Sequence, residues 1–411
     1  MARSVVITGA GLISTLGDSP RTLHRALCEG SKGVRSLQQS TSNGHRCRVG
    51  APISDFRPEK YLQGRPLRPL DRTSQLAASA AQLALRDSGW SADLLADREV
   101  SLALGTMFGG IRTIAEFDRT AQHSGPTCAS AMAFANTVIN AAAGQTAIWH
   151  NLRGVNATIA AGTISGLLAI GYAADLIRFG TLNAILAGGT DEFCFESFHA
   201  FSQAGFLCGD TNGGDFPIPF DTRRNGFALA EGAAFLMLED GDSARARGAR
   251  ILAEIRGNAN AFDCSGGRDC DSAARAIARA ITETLLRADV TPNDVDFLSS
   301  SANGSILRDC YESVAVEMAF KDCARHLPVT AIKGGTGEAL GASGPLQAIA
   351  AIETLRQGML PGISDLQDLA PDFPLRGAAA KTREISARCG LLNAVGLDGN
   401  ACAMVISAID G

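Results

Sequence analysis

Gly154-Val155-Asn156-Ala157-Thr158-Ile159-Ala160-Ala161-Gly162-Thr163-Ile164-Ser165-Gly166-Leu167-Leu168-Ala169-Ile170-Gly171-Tyr172-Ala173-Ala174 contains no charged side chain, and its chemistry decides the fold. The pattern extends upstream, because from Thr120 to Ala174 the only formal charge is Arg153. The run is long enough to span a bilayer, yet it is built from Gly, Ala, Thr, Ser and Asn rather than Leu and Phe, so insertion into lipid would be unfavourable. Burial within protein accounts for it better. Small uncharged residues allow close approach of backbones in a domain centre or against another subunit. The stretch therefore predicts an extensive subunit interface.

The rest of the chain fits a compact globular protein. Its 411 residues allow two or three units, or one large double-lobed α/β body. Apolar residues make up 46% and charged residues 19%, which excludes a disordered chain or a coiled coil. With 37 basic against 42 acidic side chains the net charge is −5, which argues against a nucleic-acid partner. The eleven cysteines are odd in number and include no Cys-x-x-Cys, the closest spacing being Cys264 to Cys270, so neither a zinc site nor a disulfide framework is indicated. Free thiols in apolar segments imply a reducing compartment, and the expectation is a cytoplasmic protein without a membrane partner. The N-terminal Val5-Val6-Ile7-Thr8-Gly9 is too short for a signal peptide and predicts a first strand.

Strand-like runs alternate with glycine turns and helical stretches, as expected of α/β layers. One series comprises Val5–Gly9, Val100–Gly105, Ala184–Gly189 and Phe235–Glu239; a second comprises Ile251–Ile255, Val295–Ser299 and Ala401–Ile406. They suggest two similar halves, residues 1–245 and 246–411, forming one rigid body. Helical periodicity is clear over Ala273–Ile281. Gly9-Ala10-Gly11 lacks the third glycine of a dinucleotide fingerprint, since position 14 is Ser14, and predicts a tight turn. Lys333-Gly334-Gly335-Thr336-Gly337 lacks the Gly-Lys-Ser/Thr order of a phosphate loop. His24, His45, His123, His150, His199 and His326 show no ligand spacing. No cofactor or metal is expected.

Longer segments converge on one family. Val6–Gly11, Gly105 with Gly109-Gly110, Leu152-Arg153-Gly154, Ser165–Gly171, Ala187–Glu192, and Pro219-Phe220-Asp221 through Arg224, Gly226-Phe227 and Glu231-Gly232 stand in an order and spacing that resembles the β-ketoacyl synthases of fatty-acid and polyketide assembly, within the thiolase superfamily. The resemblance covers nearly the whole chain. It implies a thiolase-like αβαβα five-layered sandwich of two pseudo-equivalent halves, dimeric through the uncharged central region.

Ketosynthase chemistry needs a thiolate at a helix N-terminus, where the dipole and backbone N–H groups lower its pKa and stabilise the oxyanion. At the position that the resemblance assigns to this cysteine stands Thr163, a poor nucleophile without an adjacent base. Two histidines of the family donate hydrogen bonds to the enolate formed on decarboxylation of the extender. The first belongs to a His-Gly-Thr turn before an Asp, and counting back from Asp309 leads to Ser301; the second follows Lys-x-x-x-Gly, where Glu338 stands after Lys333. A carboxylate there would repel an enolate. The frame around these positions, including Lys333, Asp309, Glu312, Leu340–Gly344 and Gly396–Gly399, matches the family.

An intact frame around absent catalytic groups resembles the chain length factor, or ketosynthase β-subunit, of type II polyketide synthases, although many of these carry Gln where Thr163 stands. The resemblance implies a heterodimer with a Cys-bearing ketosynthase α-subunit and an acyl carrier protein whose phosphopantetheine-bound chain enters a shared tunnel, so that polyketide or polyene length is controlled. Ile111, Ile114, Ala115, Met132 and Ala133 are the expected tunnel wall, with Phe117 and Phe134 nearby; read without the resemblance, the first of these are an ordinary apolar helix face. Thr127-Cys128-Ala129-Ser130-Ala131 imitates an active-site cysteine motif but precedes Leu152-Arg153-Gly154, and Cys128 is expected to be a small packed thiol. The alternatives are a malonyl decarboxylase or acyl transferase acting through Thr163, Glu338 or Cys128, or a scaffold that only binds carrier domains.

Overall fold

The computed structural model describes residues 3–38, 44–209, 216–371 and 373–409. Ten strands carry the fold: β1 (Val5–Ile13), β2 (Ser101–Gly105), β3 (Asn156–Ile159), β4 (Ala184–Asp191) and β5 (Gly232–Asp240) in the first half, then β6 (Ala253–Phe262), β7 (Phe297–Ser299), β8 (Val329–Thr330), β9 (Cys389–Val395) and β10 (Asn400–Ser407) in the second. β1, β4 and β5 are buried at every position. A strand covered on both faces has no reason to alternate polar and apolar residues, so its sequence is a continuous apolar run.

Both halves use one topology. The spatial order is β8-β7-β9-β10-β6-β1-β5-β4-β2-β3, so in each half the third strand is outermost and is followed by the second, fourth, fifth and first. The fifth strand of each half is antiparallel to its first and fourth, whereas the second is parallel to the third and fourth. The two first strands then pair antiparallel, Val6 opposite Glu254 and Ile7 opposite Ala253, which fuses the halves into one sheet.

Helices complete the layers. α1 (Arg72–Asp87) and α2 (Ala141–His150) cover the outer face of the first half, and α3 (Cys270–Ala288) packs on β6 and β10 of the second with α4 (Ile306–Phe320) beside it. Between them α5 (Ser165–Arg178) and α6 (Ser343–Gln357) pack on each other, and each touches strands of both halves. α6 is buried continuously from Ser343 to Thr354, as a helix enclosed on all sides must be. The fold is thus the thiolase-like αβαβα sandwich, with the uncharged run of the sequence supplying edge strand β3 and central helix α5.

One local expectation fails. Gly9-Ala10-Gly11 lies inside β1 and is no turn. A Cβ on Gly9 would stand 2.5 Å from the Ser88 nitrogen and one on Gly11 2.2 Å from that of Ala84, so both glycines make room for α1 to lie directly on the strand.

The same argument gives a test in the central layer. A Cβ on Gly166 would stand 2.0 Å from the Gly341 carbonyl oxygen and 2.6 Å from Pro345 Cδ, whereas one on Gly144 in α2 meets nothing within 4 Å. Gly166→Ala should destabilise the chain by about 3 kcal/mol or abolish soluble expression. Gly144→Ala should raise stability by about 0.5–1 kcal/mol through helix propensity. Urea unfolding of the two variants distinguishes these outcomes.

Candidate functional site

The N-terminus of α5 and the loop before α6 meet at the centre of the molecule. Gly162, at φ +61°, folds the chain so that Ala161 and Thr163 bridge. Ser165 secures this bend, its Oγ donating to the Gly162 carbonyl at 2.6 Å and accepting from the Ala161 N–H at 2.8 Å. Across from it, Gly341 N–H donates to Asp191 Oδ2 at 2.8 Å. Asp191, at the end of β4, also accepts from Thr106 Oγ1 and from the backbone N–H groups of Met107 and Phe108. Complete burial pushes its carboxyl up to about 6 in spite of these bonds. One carboxyl therefore ties the segment after β2, the end of β4 and the approach to α6 together.

Glu338 lies three residues before Gly341. Gly337, at φ +76°, turns the chain out of the short helix Lys333–Thr336, and the Glu338 backbone then pairs with Ala228 and Ala230. Both oxygens of its carboxylate are engaged: Oε1 accepts from Ser343 Oγ at 2.6 Å, and Oε2 accepts from Asn303 Nδ2 and Lys333 Nζ, each at 2.9 Å. Lys333 also reaches Ser301 Oγ at 3.4 Å, which in turn accepts from the Val395 N–H. Behind them Glu312 accepts from Ser300 Oγ, Ser301 N–H and Asn393 Nδ2, and burial pushes its carboxyl up against these bonds and the field of Lys333.

Thr163, Ser301, Asn303, Lys333 and Glu338 are all at most 5% exposed. The structure thus brings Ser301 and Glu338 together through Lys333, and it adds Asn303, which counting from Asp309 missed. Asn303-Gly304-Ser305 forms a tight turn with Gly304 at φ +92°, and the Asn303 and Gly304 N–H groups donate to Asp309. Burial pushes the Asp309 carboxyl up to about 7, against those hydrogen bonds. The signal was present in the sequence: Asn-Gly-Ser is the local match to His-Gly-Thr, two residues nearer Asp309 than the counted position. The Thr163 hydroxyl has no hydrogen-bond partner among the described residues.

The proposed tunnel residues lie elsewhere, on α7 (Ile111–Ser124) and the short helix Ala131–Phe134. No residue of α7 is fully buried; Ile114 is 38% and Met132 48% exposed, so the reading as an ordinary core face does not hold for the single chain. Phe117 and Phe134 join the two helices, with ring centroids 5.8 Å apart. Cys128 is exposed and so is not packed within the single chain: it sits in the turn Pro126–Cys128, outside the sheet and its helices. Among the described residues no group of three or more His, Cys, Asp or Glu could hold a metal ion, and no helix is long and apolar enough to cross a membrane.

Comparison with known proteins adds the following. Residues 2–244 match the β-ketoacyl synthase N-terminal domain, and residues 252–367 match the C-terminal domain. The chain is 30% identical over 404 residues to the tetracenomycin polyketide synthase ketoacyl synthase beta subunit of Streptomyces glaucescens, covering 98% of each chain. It is likewise 30% identical over 428 residues to 3-oxoacyl-[acyl-carrier-protein] synthase 2 of Rhizobium meliloti, covering all of both. Among solved structures, the ishigamide ketosynthase/chain length factor superposes with a TM-score of 0.92 at 28% identity over the whole of both chains.

The ion pair at the centre can be tested directly. Glu338→Ala strands the Lys333 ammonium in the interior and should cost about 3–5 kcal/mol, whereas Lys333→Met combined with Glu338→Leu should recover most of that loss. A double-mutant cycle in urea measures the coupling, and additive effects would show that the pair contributes nothing.

Proposed function

The chain belongs to the β-ketoacyl synthase family, and from that premise we propose that it is a non-elongating subunit of the chain length factor kind, which pairs with a Cys-bearing ketosynthase and shapes the tunnel for the growing acyl chain. The observation that carries this reading is the state of Glu338. An enolate needs hydrogen-bond donors aimed at it, and here the Lys333 ammonium, the Asn303 amide and the Ser343 hydroxyl all point at a fixed carboxylate. Asn303 then occupies the place of the first family histidine, Glu338 that of the second and Thr163 that of the cysteine, with Ser301 lining the Lys333 side.

The surface supports a partner subunit. Ile114, Met132, Phe134, Val138, Ile139, Ile148 and Val155 are exposed apolar side chains, and all but the first fall within the uncharged stretch. Strand β3 lies within the same stretch and has a neighbour on one side only. Obligate interfaces bury on the order of 2,000–5,000 Å² and are more apolar than ordinary surface. The partner is a Cys-bearing ketosynthase, and the acyl carrier protein delivers its chain to the pair. Decarboxylase or acyl-transferase activity through Thr163 or Glu338 is disfavoured, because no hydrogen bond orients the Thr163 hydroxyl and both Glu338 oxygens are already hydrogen-bonded.

Intact mass spectrometry of the isolated chain, incubated with acyl- and malonyl-loaded carrier protein, should show no covalent adduct. An acyl group mapped to Thr163 or Cys128 overturns the reading. Co-expression with a Cys-bearing ketosynthase should give a heterodimer on size exclusion, and a stable monomer beside that partner contradicts it.

Product length tests the tunnel assignment. Ile114→Ala should admit longer products and Ala133→Phe should shorten them or block elongation, because a change of a few methylenes in an apolar wall shifts what fits by roughly 1–3 kcal/mol. Mass spectrometry of products from the reconstituted pair reads the result, and unchanged length in both variants with normal assembly rules out Ile114 and Ala133 as wall residues.

A further inference from the structure

α7 has little of its own to hold its start. None of its residues is fully buried, its first turn carries no acidic side chain, and Gly110, which precedes it, has no side chain to cap it. A local cap has no room: a Cβ on Gly110 would stand 2.3 Å from Asp71 Oδ2, and Asp71 already caps α1 through the Ser74 N–H. The first N–H groups of a helix still need acceptors. One comes from outside, where Glu192, directly after β4, accepts from the Arg112 N–H with Oε1 at 3.2 Å. The Arg112 side chain folds back over the same carboxylate, with Nε 3.5 Å from Oε2, and its Nη2 donates to the Phe193 carbonyl at 2.7 Å. Glu192 is only 2% exposed, and no hydrogen bond reaches its Oε2. Burial pushes its carboxyl up to about 7 against the pull of Arg112, and Asp71 and Glu231 add to the rise. An acid held at such a cost stands where the helix needs an acceptor. Its support is firm: the Phe193 N–H donates to Glu231 Oε2 at 3.1 Å, and Arg72 of α1 grips Glu231 with Nε at 2.8 Å and Nη2 at 2.6 Å. Farther along α7, Arg119 meets Glu196 at 3.1 Å on the surface, where an ion pair contributes little.

Resting on the reading of α7 as part of the tunnel wall, we propose that Glu192 is a positioning residue for product length: it caps α7 from the end of β4 and so fixes where Ile111 and Ile114 stand. Ile111 is the first residue of the helix and Arg112, which Glu192 holds, the second. Without that acceptor the first turn frays, the wall yields and longer chains fit. Removing Glu192 strands no buried charge, because the Arg112 side chain is 41% exposed. The chain without this carboxylate therefore folds, and the effect stays at the start of α7.

Hydrogen exchange of the full chain reads the seat of the helix without reference to function. Glu192→Ala should speed exchange of the amides of residues 112–116 about 10-fold, as loss of a cap does, while the amides of β1 keep their rates. Glu192→Gln retains an acceptor for the Arg112 N–H and should stay within about threefold of the parent. Unchanged exchange in the Ala variant, a Gln variant as labile as Ala, or a rise shared equally with β1 would each overturn the proposal. In the reconstituted pair, Glu192→Ala should add longer products, and Glu192→Gln should restore the parent length. If Ile114→Ala lengthens the products and Glu192→Ala, with α7 loosened, does not, the proposal fails and the tunnel reading stands. If neither variant changes the length, the tunnel assignment itself fails, and the role of Glu192 in product length with it.

Discussion

Four glycines meet where no side chain fits, and the architecture depends on that contact. A Cβ on Gly105 would stand 2.4 Å from the Gly166 nitrogen, one on Gly189 2.1 Å from the Gly341 carbonyl oxygen, and one on Gly166 2.0 Å from that same oxygen; one on Gly341 would press on Asp191 and the Gly105 carbonyl. β2, β4, α5 and the approach to α6 are thereby drawn to backbone contact at one point. Packing this close excludes water and leaves polar backbone groups that must be paired, and Asp191 supplies acceptors for three of the N–H groups around it. Thr163 and Glu338, each three residues before one of these glycines, inherit their positions from the contact.

The polar interior is organised by the same demand. A buried charge is costly unless neutralised and hydrogen-bonded. Lys333 meets that cost by pairing with Glu338, and Ser343 and Asn303 donate further hydrogen bonds to the carboxylate. Glu312 and Asp309 form a second shell of acceptors that fix Ser300, Ser301 and the Asn303 turn from behind. A network satisfied in this way is rigid and specifies one arrangement of its members. It is suited to holding a shape, and each donor it uses is one fewer for a reacting group.

Much of the fold was legible because burial leaves a strong imprint. Strands covered on both faces read as apolar runs, so β1, β2, β4, β5 and β10 were found near their true places. Gly9 and Gly11 misled because glycine marks both turns and close approaches; only the position of α1 shows that the second applies. Ser301 was singled out by counting back from Asp309, a procedure that assumes a turn of constant length, and here the Asn303-Gly304-Ser305 turn lies two residues closer. The packed thiol expected at Cys128 rests on its place ahead of Leu152-Arg153-Gly154, and in the single chain this part of the stretch lies on the surface.

The exposed segment around Cys128 shows how such a stretch is used. Apolar composition reports where a chain avoids water in its working state, and a single chain need not satisfy it alone. Thr163 to Ala174, apart from the exposed Tyr172, is satisfied within the chain, as the start and body of α5 between two layers of strands. Thr127 to Ile139 is not, because Met132, Phe134, Val138 and Ile139 remain open. The isolated chain is thus closed at Thr163, Asn303 and Glu338, where the proposed reading leaves no chemistry, and open along the apolar face, where that reading needs a partner. Both properties come from one uncharged run, in which most of Ala141 to His150 and of Thr163 to Ala174 is buried by the chain's own fold and Thr127 to Ile139 is left for another surface to cover.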